Sequence, residues 1–381
     1  TAYRRQRQMC IRDRSRLGHF HNCFSYQPSW RWTERCTQSK IKEALNSMSD
    51  PILSVKNLTV VFKTRFGEVP VIDDVSFSIA PREILGIVGE SGCGKTMTSL
   101  AIMRLMPEQG IVTSGSIRLS GEDLVFASEA RMRDLRGNEI SMVFQEPMTS
   151  LNPVFSVGEQ IAEVLRSHQG LSKSEANEQA VELLESVKIP LPSRRVNDYP
   201  HQLSGGMRQR VMIAIALACK PKVLIADEPT TALDVTVQAH IFELLHELRD
   251  QTGTSIVLIT HDMASVAQMA ERVMVMYAGR KVEEGPVEEI LKNPLHPYTQ
   301  GLIKCVPDLM ETISLERQDL QEIPGIVPPI NHFGRNECLF APRCNFVEDR
   351  CLKQRPLDSR RAKDHHTACW AKNTNNEKVF A

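Results

Sequence analysis

Three groups of residues have types and spacings that could do chemistry. The first is "GESGCGKT", comprising Gly89, Glu90, Ser91, Gly92, Cys93, Gly94, Lys95 and Thr96. It fits the pattern Gly, four residues, then Gly-Lys-Ser/Thr. Glycines let backbone N–H groups turn inward around phosphate oxygens, and a helix starting at the loop adds positive potential. Lys95 can then reach the terminal phosphates of a nucleotide, and the Thr96 hydroxyl can ligate Mg²⁺. The second group is the acid pair closing "VLIADEP". Asp227 suits Mg²⁺, and Glu228 is a candidate general base for water. The third is a set of four cysteines near the end, Cys338, Cys344, Cys351 and Cys369.

Loops like these need rigid elements beneath them. "EILGIVG" and "VLIAD" are continuous apolar runs, as expected of strands buried on both faces. "ILSVKNLTVVF" and "VIDDVSFSI" alternate with period two and suit a half-exposed antiparallel sheet. "VGEQIAEVLRSH" places Val157, Ile161, Val164 and Leu165 on one helical face. "TVQAHIFELLHELRDQTG" reads as an amphipathic helix closed by Gly253, followed by the strand "SIVLIT". The alternation predicts a mixed α/β core. Proline becomes frequent after about residue 285, which puts a boundary near 290: an ATPase-type domain over 48–290 and an extension over 291–381.

The signature "LSGGMRQR" precedes a helical run, so Ser204, Gly205 and Gly206 form a second anion site at a helix start. With "FQEP", "TALD" and "ITHD" in order, residues 52–285 resemble the ATP-binding domain of ABC transporters. The resemblance implies a P-loop fold with a mixed sheet core, an antiparallel β subdomain and a helical subdomain. It implies that Gln145 senses the γ-phosphate and Mg²⁺, that His261 bonds the γ-phosphate, and that Asp234 shapes a dimer contact. Phe62 stands where the family stacks an aromatic on adenine. Ser204, Gly205 and Gly206 would close on the ATP of a partner chain. A single phosphate loop and the lack of sustained heptads set aside ABC proteins of translation and of DNA repair. "EPMTSLNPVFSVGEQI" looks like the surface that receives the membrane subunits.

The tail extends the likeness. "NPLHPYTQGLIKCVP", "ECLFAPRC" and "HHTACW" resemble oligopeptide and dipeptide importers, so the match spans 52–371. That implies peptide import with a second, related ATPase subunit, two transmembrane permease subunits and an extracytoplasmic peptide-binding protein. The chain would sit peripherally at the cytoplasmic face of a bacterial inner membrane. Importers of nickel or another small solute share the subfamily and remain the alternative.

The four cysteines are separated by five, six and seventeen residues. Free packing thiols, disulfides and a four-thiolate metal site are all open on spacing. Zinc is natural for four cysteines but usually shows short Cys-x₂₋₄-Cys knuckles, absent here, whereas wider loops can wrap an iron–sulfur cube. The resemblance favours [4Fe–4S] over Zn²⁺, as a structural clip rather than a redox catalyst.

Bulk properties agree with a globular chain. Of 381 residues 41% are hydrophobic, and 46 basic residues balance 46 acidic ones. Zero net charge argues against a nucleic-acid footprint. Ten cysteines, one of them inside the phosphate loop, suit a reducing compartment. No apolar run approaches the roughly 18 residues of a membrane span. The basic, aperiodic residues 1–47 are expected to lie outside the fold, as a disordered or non-native extension. The alternative for them is a nucleic-acid-binding arm.

Overall fold

The structure is a computed structural model describing residues 50–65, 67–145, 150–231, 233–305, 322–329, 332, 336–362 and 364–371. The expectation for residues 1–47 and part of the expected membrane-subunit surface, Glu146 to Thr149, lie outside these residues.

Two sheets build the fold. The smaller is antiparallel, in the order β2-β1-β4-β5, from β1 (Leu53–Thr64), β2 (Gly67–Ile79), β4 (Gly110–Leu119) and β5 (Glu122–Asp123). The larger has eight strands in the order β11-β12-β10-β9-β3-β8-β7-β6. Its parallel part comprises β3 (Ile84–Val88), β6 (Ile140–Val143), β7 (Val223–Asp227), β8 (Ser255–Thr260) and β9 (Arg272–Tyr277). β10 (Arg280–Pro286), β11 (Ser359–Ala362) and β12 (His365–Thr367) continue it antiparallel.

Every residue of β3, β7 and β8 is buried, as the continuous apolar runs require. Successive side chains of a strand point to opposite faces, and here each face meets its own core. Ile84, Leu224, Ala226, Ile256 and Leu258 join one cluster, with the helices Val157–Gln169, Lys173–Ser186, Gly205–Leu217 and Val235–Thr252. Leu85, Ile87, Val223, Ile225, Val257 and Ile259 join the other, which contains the antiparallel sheet and the helix Lys95–Met103. A strand held on both faces has little freedom to move the loop at its end.

Local signals set the helix limits. Ser156 caps Val157–Gln169 by accepting from the Glu159 N–H at 3.3 Å, and Gly170 ends it at φ 67°. Val157, Ile161 and Leu165 are buried and Val164 is half-buried, so the expected face is the packed one. Asp234 caps Val235–Thr252 by accepting from the Val237 N–H at 2.9 Å, and Gly253 closes that helix at φ 76°.

The described residues after β10 pack into the same compact unit as the two sheets. β12 pairs with β10, matching Glu283 to Thr367 and Glu284 to His366. Glu283 is buried and gathers three partners: the N–H groups of Leu295 at 2.7 Å and His296 at 2.9 Å, and His365 Nε2 at 2.8 Å. This carboxylate fixes the "HPYT" segment. His296 in turn accepts from the Tyr298 N–H at 3.1 Å and caps the helix Pro297–Lys304. Tyr298 then packs edge-on against Tyr277, with ring centroids 4.7 Å apart, and Phe340 closes on both.

Burial pushes the His296 imidazole down to about 4, with the Glu283 carboxylate opposing. The unfolded chain, with an ordinary value near 6.5, therefore takes up a proton that the folded chain refuses. Stability is full above pH 6.5 and falls as pH drops toward 4. Between pH 7 and 5 the expected loss is about 2 kcal/mol. His296→Asn, which keeps an acceptor for the cap, should flatten this slope in urea midpoints measured at both pH values. An unchanged slope would remove His296 as its source.

Candidate functional site

β3 delivers the chain to the phosphate loop, and the helix Lys95–Met103 leads away from it. Backbone proximity dictates glycine at the first position. A Cβ on Gly89 would lie 2.2 Å from the Met276 carbonyl oxygen and 2.7 Å from the Cys93 sulfur. Gly94 enters the helix at φ 101°, and a Cβ there would meet Ile72 at 2.8 Å. With glycine at the cap no side chain covers the helix's first N–H groups, leaving them for an anion. Lys95 is buried, and its ammonium folds back over the loop, donating to the Gly89 carbonyl at 2.7 Å and the Glu90 carbonyl at 3.1 Å. Ser91 and Gly92 are exposed, whereas Cys93 is buried, its thiol pushed up to about 11 by burial. Cys93 thus supports the loop from beneath as a thiol.

The two acids at the end of β7 face different surroundings. Asp227 is buried, and its Oδ1 has no hydrogen-bond partner. Burial raises its carboxyl to about 6, although the neighbouring Thr96 side chain acts to lower it. Glu228 takes a left-handed φ of 46°, and its backbone N–H donates to the Ile259 carbonyl at 2.8 Å. Its carboxylate accepts from the Gln145 amide at 2.9 Å and the Thr231 hydroxyl at 2.9 Å, and lies 3.1 Å from His261 Nδ1. Burial acts to raise this carboxyl too, but the hydrogen bonds of His261 and Thr231 outweigh it and hold it below the usual range.

Residues from four separate motifs thus meet at one place. Thr96 joins Asp227, and Gln145 and His261 join Glu228. Thr231, the first residue of "TALD", carried no expected role, although it stands three residues after Glu228. Phe62 is half-buried on β1, with Gly110 opposite it on β4. Ser204 and Gly205 are exposed and Gly206 is half-buried. The Ser204 hydroxyl caps its own helix by accepting from the Met207 N–H at 3.3 Å.

The family model described as "ABC transporter" matches residues 72–231, and that described as "Oligopeptide/dipeptide transporter, C-terminal region" matches 282–351. A putative peptide import ATP-binding protein of Brucella abortus is 52% identical over 309 residues, covering 81% of this chain and 92% of that protein. Another from Brucella melitensis is 50% identical over 327 residues, covering 84% and 96%. The chain belongs to the ATP-binding proteins of ABC transporters. Among solved structures, a dimeric ATP-binding cassette bound to ADP and Pi in a post-hydrolysis state superposes with TM-score 0.56 at 29% identity, over 62% of this chain and 98% of that one. The cbiO1 protein of Clostridium perfringens, part of an ABC transporter complex, gives TM-score 0.55 at 27% identity, over 64% and 92%. As an ABC transporter ATPase the chain binds and hydrolyses ATP, and the P-loop fold, mixed sheet, antiparallel subdomain and C-terminal extension are those of the family. Among the described residues no helix is long and apolar enough to cross a membrane.

The tail cysteines converge. Cys338, Cys344, Cys351 and Cys369 line one small cavity with Phe340 and Trp370. The Cys338 N–H donates to the Cys351 carbonyl at 2.9 Å. Burial pushes the Cys338 thiol up to about 11 and the Cys369 thiol to about 12. Among the described residues, however, no three His, Cys, Asp or Glu side chains are grouped so as to hold a metal ion. The four cysteines therefore share one cavity without being grouped around a single metal ion. Sequence reading also missed Arg343 and Tyr298, which touch the phosphate loop. "APRC" and "HPYT" were visible as motifs, but nothing in them pointed to a loop so far away in sequence.

Gly89→Ala is expected to lower the melting temperature and to abolish ATP binding, because its methyl group collides with backbone that cannot yield. Calorimetric titration with MgATP beside thermal melting checks this. Wild-type affinity would mean that the loop has room the geometry denies.

Proposed function

We propose that this chain is the ATP-hydrolysing subunit that drives import of di- and oligopeptides through a membrane ABC transporter. The observation that carries the hydrolytic half is the meeting of Gln145, Thr231 and His261 on Glu228, beside the Thr96–Asp227 pair. The peptide-transporter match of residues 282–351 and the peptide-import relatives support the transport half.

The loop N–H groups and Lys95 bind the phosphates of ATP, and Phe62 offers a ring for adenine. The unpartnered Asp227 oxygen and the Thr96 hydroxyl are hard oxygen donors of the kind Mg²⁺ takes. These two residues would hold it, with Gln145 nearby. Bound Mg²⁺ neutralises charge on the phosphate oxygens. Glu228, kept ionised by its hydrogen bonds, accepts the proton of the attacking water. The water oxygen bonds to the γ-phosphorus, the bond to the β–γ bridging oxygen breaks, and ADP leaves. Gln145 and His261 orient the water and the γ-phosphate.

The exposed start of the helix Gly205–Leu217 suits the ATP of a second chain. Ser204, Gly205 and Gly206 would close on it, with Asp234 at the contact. The solved relative bound to ADP and Pi is a dimer, which supports this arrangement. The assembly we infer is a pair of related ATPases on the cytoplasmic face of two permease subunits, served by an extracytoplasmic peptide-binding protein.

For the tail we propose a [4Fe–4S] cluster held by Cys338, Cys344, Cys351 and Cys369. Four cysteines lining one cavity, Cys351 buried and Cys338, Cys344 and Cys369 half-buried, support it. A single zinc ion needs all four sulfurs about 2.3 Å from one point, whereas a cube takes one thiolate at each iron corner. The arrangement thus fits the cube better than Zn²⁺, and its contribution there is structural.

Two experiments follow. Glu228→Gln should keep ATP binding within about threefold while turnover in the assembled transporter falls by two orders of magnitude or more, the scale of losing a general base. Near-normal turnover would end the assignment of Glu228. Protein purified without oxygen should be brown and carry about four iron atoms per chain, and Cys344→Ser should bleach it. Colourless protein with one zinc per chain would replace the cluster by zinc, and protein with neither would reject the site.

A further inference from the structure

The tail reaches into the phosphate loop at one residue. Arg343, one position before Cys344, has a side chain only 4% exposed. Its guanidinium grips the Glu90 carboxylate with both arms, at 2.7 and 2.9 Å. The remaining donors are fixed by the Pro324 carbonyl at 2.8 Å, the Ile323 carbonyl at 3.2 Å and the Tyr277 hydroxyl at 3.4 Å. Tyr298 holds the same residue from another side, its hydroxyl accepting the Glu90 N–H at 2.8 Å. Lys95 donates to the Glu90 carbonyl at 3.1 Å. The N–H, the carbonyl and the carboxylate of Glu90 are thus all engaged, two of them by residues beyond β10.

We propose that Arg343 is a positioning residue for ATP: through Glu90 it sets the shape and charge of the phosphate loop. Two physical effects act together. A two-armed contact to a carboxylate fixes orientation as well as distance, so Glu90 is held where its carbonyl steadies the Lys95 ammonium. A loop already in its binding shape loses less freedom when the phosphates arrive. The second effect is charge. Glu90 places a carboxylate in a loop that must attract a polyanion, and Arg343 cancels it at contact distance. The burial of Arg343 makes the pairing obligatory, because an unpaired guanidinium in that position is strongly unfavourable. Its place beside Cys344 means that whatever orders the tail also orders the loop.

This rests on the reading of Lys95 and its loop as the ATP site, so Lys95→Ala tests that reading separately by loss of MgATP binding. In the full chain, Arg343→Gln should weaken MgATP binding about tenfold, and in the assembled transporter it should raise KM by a similar factor with kcat within twofold. Arg343→Lys, which keeps the charge but not the fork, should fall between. Glu90→Gln combined with Arg343→Gln removes both charges and should bring affinity back to within about threefold of wild type. A purely structural Arg343 would lower the melting temperature and leave KM alone. That result, or a double variant weaker than Arg343→Gln, overturns the proposal. Should Arg343→Gln fail to fold, Arg343→Lys and the double variant still decide it. Loss of binding in Lys95→Ala with unshifted KM in the Arg343 variants would sink this inference alone.

Discussion

Binding a polyphosphate through backbone N–H groups is the constraint on which the rest of this structure depends. Several N–H groups must point at one place, with no side chain between them and no movement of the strand beneath. Gly89 meets the first demand by lying against the Met276 carbonyl where no Cβ fits. β3 meets the second, because its alternate residues are locked into two different cores. Its neighbours β8 and β9 hold it in parallel register along its length.

The same sheet sets the two acids apart. Asp227 and Glu228 are adjacent, yet burial drives one carboxyl up while hydrogen bonds draw the other down. The left-handed turn at Glu228 sends consecutive side chains into different surroundings. Strain of this kind in a non-glycine residue costs on the order of 1 kcal/mol and persists where the site over-determines it. Here three side chains and the Ile259 carbonyl do so.

The tail is tied to the sheet by the same kind of buried polar anchoring. Glu283, wholly inside, collects two backbone N–H groups and His365. From that point the aromatic group of Tyr277, Tyr298 and Phe340 carries the contact to the loop. The extension therefore packs against the nucleotide end of the sheet, with its cysteine cavity lined by the same Phe340.

The sequence by itself determined what is local. Apolar runs named the buried strands, Gly253 ended its helix, and "GESGCGKT" and "ADEP" announced the phosphate loop and the acid pair. These features follow from backbone sterics, side-chain periodicity and hydrogen bonding within a few residues, so a short window contains the whole cause. Only the tertiary structure decided which windows meet. Nothing near Glu228 in the chain indicates that Gln145 and His261 share its carboxylate. That depends on parallel strands placing three loops at one edge. Arg343 and Glu90 stand 253 positions apart. Their pairing exists because the tail returns to pair β12 with β10, a long-range closure whose enthalpy and register no local pattern encodes. The cysteine spacing left thiols, disulfides, zinc and a cluster all open. The fold alone brought the four cysteines together, lining one cavity with Phe340, because residues far apart along the chain meet only when the tail packs.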